Sequence, residues 1–266
     1  MPETGKEFER LMELIARLRG DNGCPWDREQ SYVSLTAHTL EEAYEVADTI
    51  EREDYAELRD ELGDLLFQVV FYAQLAKEEG RFDFEQVAAA IADKLVRRHP
   101  HVFADMQFAD ADEQTRHWEA LKQQERAAKS KQTHSSILDG IARTLPAMSL
   151  ANKLQKRAAQ VGFDWPDQAG VVAKVHEELE ELQQDWADPD RREDEMGDLL
   201  FTCVNLARHA GCDPEAALRR ANQKFEGRFR QLEMHCAAQQ RQLDQLNPDE
   251  LEALWQAVKN LQNANE

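Results

Sequence analysis

No stretch of this sequence is long and apolar enough to cross a bilayer. The most apolar run, Leu65 to Ala76, is interrupted by Gln68 and Gln74 and is too short. No apolar leader opens the chain, so the expectation is a cytoplasmic protein. Cysteine is sparse: Cys24, Cys203, Cys212 and Cys236 show no CxxC or zinc-type spacing and are expected to be reduced thiols. Glycine (11) and proline (8) are few among 266 residues, and no run alternates at the strand period. Positive charge is also short. A formal net charge of -20 repels nucleic-acid phosphates, so no DNA or RNA partner is expected. The same field would repel a nucleotide unless cations reversed it locally.

What remains is helix-forming. Ala, Leu, Glu, Gln and Arg dominate. With 42% hydrophobic and 32% charged residues, the chain can build a core. Phe8, Leu11, Met12, Ile15 and Leu18 form a first stripe at helical spacing. Asp188-Pro189, Asp213-Pro214 and Asn247-Pro248 each place a capping side chain before a proline suited to the first helical position. Glu250, three residues after Asn247, completes a capping box.

An internal repeat organises the chain. Glu61-Leu62-Gly63-Asp64-Leu65-Leu66-Phe67 returns as Glu195-Met196-Gly197-Asp198-Leu199-Leu200-Phe201. An acidic helix precedes each, LEEAYEV at 40–46 and HEELEEL at 176–182, and a Pro25-Trp26 or Trp165-Pro166 pair precedes that. The expected fold is all-α: two tandem helical-bundle domains from an internal duplication. The domains span 1–125 and 147–266, and a polar, locally basic linker spans 126–146.

Each copy gathers carboxylates. Lys174, Glu177, Glu178 and Glu181 share one helical face, and Arg191, Glu195 and Asp198 share a face on the next helix. A short turn at Asp188-Pro189 would set the two antiparallel. Asp198 precedes Leu199, Leu200, Phe201, Cys203, Val204, Leu206 and Ala207, which wrap nearly the whole circumference and predict a buried helix. Asp64 stands likewise before Leu65, Leu66 and Phe67. Two carboxylates about 4 Å apart repel by roughly 4 kcal/mol at an effective dielectric near 20, so four in one site need cations or protons. Oxygen-only ligands suit Mg²⁺, Mn²⁺ or Ca²⁺ rather than zinc. Gly63 and Gly197, costly in mid-helix, suggest close helix packing. Downstream, Lys224 with Arg228 and Trp255 with Lys259 are spaced one turn apart, as are Lys94 with Arg98 and Trp118 with Lys122 in the first copy. Metal ligands, phosphate-binding cations and an aromatic face together make a nucleotide site plausible.

These residues resemble the MazG family of nucleoside triphosphate pyrophosphohydrolases, whose pattern is EExxE followed by ExxD on the next helix. Here it reads Glu177-Glu178-x-x-Glu181 with Glu195-x-x-Asp198, and Glu41-Glu42-x-x-Glu45 with Glu61-x-x-Asp64. The segments GDNGCPWDREQ at 20–30 and RRHPHVF at 97–103 resemble its long, two-domain form. The resemblance implies a homodimer, Mg²⁺ (Mn²⁺ as an alternative) and hydrolysis of a broad range of NTPs and dNTPs to NMP and diphosphate. It implies Glu178, Glu181, Glu195 and Asp198 as metal ligands, with Glu42, Glu45, Glu61 and Asp64 as their first-copy counterparts. Glu177 and Glu178 are the implied catalytic residues. Lys174, Glu177, Arg191, Asp194, Asp198, Lys224, Arg228, Trp255 and Lys259 are the implied nucleotide-binding set. The second copy is expected to carry most of the activity, because His38 and Glu57 stand where it has Lys174 and Arg191.

Three other readings compete. A di-iron carboxylate bundle needs histidine where Asp64 and Asp198 stand. A non-catalytic helical scaffold would leave the acidic faces solvated. A narrower relative would act on dUTP, dCTP or a phosphoribosyl nucleotide.

Overall fold

The computed structural model describes residues 4–129 and 136–263. Among them the chain is all-α, with twelve α-helices, one short 3₁₀ turn and no strand. No helix among the described residues is long and apolar enough to cross a membrane. The chain divides into two compact units, 1–124 and 125–266.

The first unit contains α1 (Thr4–Arg19), α2 (Pro25–Glu29), α3 (Thr36–Glu51), α4 (Tyr55–Glu78), α5 (Phe84–Arg98) and α6 (Pro100–Phe103), and α7 (Ala111–Lys129) crosses the division. α3 and α4 form a tightly packed antiparallel hairpin, and α1 lies against α4. The core joins Ile15 of α1 to Val70, Phe71 and Leu75 of α4 and to Leu35. Leu11 and Met12 of the first stripe pack against it, while Phe8 and Leu18 stay exposed.

The second unit contains α8 (Ala147–Ala159), α9 (Gln168–Gln184), α10 (Pro189–His209), α11 (Pro214–Ala238), the 3₁₀ turn Leu243–Gln245 and α12 (Pro248–Asn263). α10 packs on both α9 and α8, and α12 packs on α11 around Leu232, Cys236 and Val258. The helix starts are capped by the side chains the sequence singles out. Asp188 accepts from the Asp190 and Arg191 amides, and Asp213 from the Ala216 amide. Asn247 and Glu250 exchange reciprocal bonds of 2.9 and 3.0 Å. Of the expected linker, 126–129 end α7 and 130–135 lie outside the described residues. Residues 136–146 form turns, fastened where Arg157 donates to the Ile137 carbonyl at 2.7 Å.

Two sequence expectations fail. α10 is not buried all round: Met196, Leu200 and Phe201 are exposed, as are Leu62 and Val69 on α4. Burial of an apolar helix needs neighbours on every side, and one chain supplies them on only part of the circumference. Nor do Gly63 and Gly197 mark close packing. A Cβ built at either would meet nothing within 4 Å.

Candidate active site

The acidic residues come together because each pair of helices turns back on itself. In the first unit α3 ends at Glu51, and Asp54 caps α4 by accepting from the Glu57 amide. In the second, Asp167 starts α9 by accepting from the Gly170 amide, and Asp188 starts α10. Trp165 lies close against Gly170, where an added Cβ would fall 2.5 Å from Trp165 Cδ1 and the ring would have to shift. The stripes on neighbouring helices then converge at mid-hairpin.

Two groups of three carboxylates result, each with ligand oxygens within 4.8 Å of one another. They are Glu42, Glu61 and Asp64 in the first unit and Glu178, Glu181 and Glu195 in the second. Glu45 and Asp198 are not in these triplets but lie within electrostatic reach. Desolvation, then Asp64 and Glu45, push the Glu42 carboxyl above its ordinary pKa. Desolvation, then Glu45 and Asp64, do the same for Glu61. For Glu195 the causes are desolvation, then Glu181, Asp185 and Asp198. Asp185 is thus part of the second acidic set. Sequence reading missed it, although Glu178, Glu181 and Asp185 fall at i, i+3 and i+7.

Glu178 is only 4% exposed and is met by Lys174, whose Nζ lies 2.8 Å from Glu178 Oε1 and 2.8 Å from Glu177 Oε1. Glu177 itself points outward. In the first unit His38 Nδ1 is 3.6 Å from the exposed Glu41. Arg191 pairs with Asp185 at 3.0 Å, and Asp194 is exposed nearby on α10. The remaining nucleotide-binding candidates sit on the other helix pair. Lys224 is exposed on α11 and Arg228 half-buried there. Trp255 packs into the α11–α12 core with its ring 5.5 Å from that of Phe225, and Lys259 follows one turn later. Neither Lys224 nor Lys259 forms an ion pair with the carboxylates among the described residues. In the first unit Lys122 Nζ stands 4.4 Å over the Trp118 ring.

The donor set fits a hard divalent cation. It is all carboxylate oxygen, close enough for one ion to gather, and half-buried glutamates are driven toward their neutral form without one. No histidine or cysteine joins either triplet, which disfavours a di-iron or zinc site.

The model of the MazG nucleotide pyrophosphohydrolase domain matches residues 30–103, which include the whole α3–α4 hairpin. The Escherichia coli (strain K12) protein named nucleoside triphosphate pyrophosphohydrolase is 52% identical over 258 residues, 95% of this chain and 97% of that one. A Thermotoga maritima protein named nucleoside triphosphate pyrophosphohydrolase/pyrophosphatase MazG is 42% identical over 259 residues, covering 97% and 98% of the two chains. A Mycolicibacterium smegmatis protein of the former name is 36% identical over 61% of this chain and 49% of its own length. With two acidic helix pairs in the family's order and relatives matching along nearly its whole length, this chain belongs to the MazG family.

Proposed function

We propose that the chain is a Mg²⁺-dependent nucleoside triphosphate pyrophosphohydrolase, converting NTPs and dNTPs with water to NMP and diphosphate. The observation that carries this reading is the convergence of Glu178, Glu181 and Glu195 beside Lys174 and Arg191. Carboxylates for a metal and cations for a polyphosphate thus occur side by side. The names of the relatives agree with this activity.

Glu178, Glu181, Glu195 and Asp198 would hold the metal, with Glu42, Glu45, Glu61 and Asp64 as the first-unit equivalents. When bound, a divalent ion supplies charge neutralisation of the triphosphate and a more acidic water. The chain's own residues do the rest. Lys174 and Arg191 bind phosphate oxygens, and Glu177 orients the attacking water and takes its proton. Water oxygen bonds to the α-phosphorus while the bond from that phosphorus to the bridging oxygen of the β-phosphate breaks. The electron pair leaves with diphosphate, which the Lys and Arg side chains stabilise. Lys224, Arg228, Trp255 and Lys259 serve the nucleotide from α11 and α12.

The second unit carries most of the turnover in this account, and the chain works as a cytoplasmic homodimer without nucleic-acid partners. Apolar residues left exposed beside each cluster support the dimer: Leu62 and Val69 on α4, and Met196, Leu200 and Cys203 on α10. They fall at i and i+7 on α4 and at i, i+4 and i+7 on α10, each set on one face.

Chromatography of the products from a panel of ribo- and deoxynucleotides tests the reaction. Monophosphate and diphosphate are expected with Mg²⁺, and a chelator stops their formation. Nucleoside diphosphate and orthophosphate would overturn it. Turnover confined to dUTP, dCTP or a phosphoribosyl nucleotide would replace the broad enzyme by a narrow one.

A further inference from the structure

The buried carboxylate of the second cluster already has a cation of its own. Glu178 has a side chain 6% exposed, and Lys174 Nζ lies 2.8 Å from its Oε1. An ionised carboxylate this deep is strongly disfavoured without a partner, so the ammonium is more than a surface decoration. The pair also spans one helical turn of α9, which makes it local and independent of the hairpin partner. Lys174 remains 31% exposed on its open side. Its flexible stem can carry the ammonium a few ångströms without moving the backbone. The first unit is built differently, since His38 faces the outer Glu41 at 3.6 Å.

On the reading of this site given above, we propose that Lys174 is an internal counter-ion. It occupies Glu178 until a metal–triphosphate complex arrives, then transfers its ammonium from the carboxylate to the triphosphate. Glu178 exchanges one cation for another, so its charge is never left bare. The triphosphate gains a lysine that the free chain was using elsewhere. This exchange has two consequences. Free metal binds the second cluster weakly, because it competes with Lys174. Metal and nucleotide bind with strong positive coupling, because each removes an obstacle to the other.

The test uses the full chain carrying Glu42→Gln, which silences the first cluster, with Mn²⁺ as the probe in calorimetry. Titrations are made with Mn²⁺ alone and with Mn²⁺ plus a non-hydrolysable triphosphate analogue. In the Lys174 protein the analogue should tighten Mn²⁺ binding markedly. Lys174→Met should bind Mn²⁺ alone roughly tenfold more tightly, the low end for removing one charge-assisted partner. It should bind the analogue more weakly and lose most of the coupling. Lys174→Gln, which can still hydrogen-bond Glu178, is read the same way if the methionine variant does not fold. Mn²⁺ binding that is unchanged or weaker in the variants would overturn the proposal, making Lys174 a residue that orients Glu178 for the metal. If no protein binds Mn²⁺ with or without the analogue, the metal-dependent reading itself fails, a separate result.

Discussion

Arg52 and Glu57 meet at 2.7 Å across the turn between α3 and α4. The same place in the second unit holds Asp185 and Arg191 at 3.0 Å, with the charges exchanged. Each partner from the first helix is its C-cap residue. Glu57 is therefore not the bare anion its position in the sequence suggests, because it shares the Arg52 guanidinium with Asp48 and Asp54. Arg191, with its side chain 65% exposed, can turn from Asp185 toward a ligand. Arg191→Ala should raise KM for NTP roughly tenfold, the low end for one charge-assisted phosphate contact. It should change stability by less than about 1 kcal/mol, because an exposed ion pair contributes little. Steady-state kinetics and thermal melts check both.

Metal should raise the melting temperature, since it binds the folded chain preferentially. Asp198→Asn should remove much of that rise. It should leave the metal-free chain as stable or more so, because a charge that destabilises ionised Glu195 is gone. Melting curves with and without Mg²⁺ or Mn²⁺ measure both quantities. An unchanged metal response would place Asp198 outside the metal site.

Stability without metal should depend on pH in two opposite senses. Glu195, Glu42 and Glu61 are raised above the ordinary 4.5. Their contribution is present below that value and lost as pH rises through their folded pKa. The metal-free chain should thus melt lower as pH climbs above about 4.5 toward neutrality, and saturating metal should abolish the decline. Asp164 behaves in reverse. Its hydrogen bond from Arg208, with His209 Nε2 at 3.0 Å, holds its pKa at about 2 against the ordinary 3.8. That contribution is present above 3.8 and lost as pH falls through about 2. Asp164→Asn should cost the chain this stability at neutral pH and remove its share of the acid transition.

The features read correctly from sequence are those set by local chemistry. Asp188, Asp213 and Asn247 cap their helices because a capping side chain reaches amides only two or three residues away. The carboxylates converge because i, i+3 and i+7 spacing fixes a face, and a short turn fixes which faces meet. What sequence reading missed depends on how deeply a side chain is buried and on which faces the chain itself covers. Lys174 was expected to serve phosphate alone, but a buried Glu178 claims it in the free protein. Trp255, expected to present a face to the nucleoside, spends part of its surface on Leu232 and Val258 of the α11–α12 core. Leu200 and Phe201 read as buried because apolar periodicity records which residues share a face, not whether this chain covers it.

Assembly tests that last point. The open stripes predict a mass near twice 30.6 kDa by light scattering. Leu200→Glu, at a position 49% exposed in the single chain, should shift the mass toward the monomer while leaving the helical circular dichroism intact. A monomeric parent protein would remove the homodimer from the account.

The central claim is that the buried Glu178 cluster, rather than its first-unit counterpart, is the principal hydrolytic site. Turnover of NTP to NMP and diphosphate in the full chain, compared between Glu178→Gln and Glu42→Gln, tests it most directly. Glu178→Gln should lower kcat at least a hundredfold, because a metal-ligating charge is lost where transition-state charge is stabilised, an effect of roughly 3 kcal/mol or more. Glu42→Gln should retain most of the turnover. Intact turnover in Glu178→Gln together with its loss in Glu42→Gln would contradict the account and assign the chemistry to the first unit.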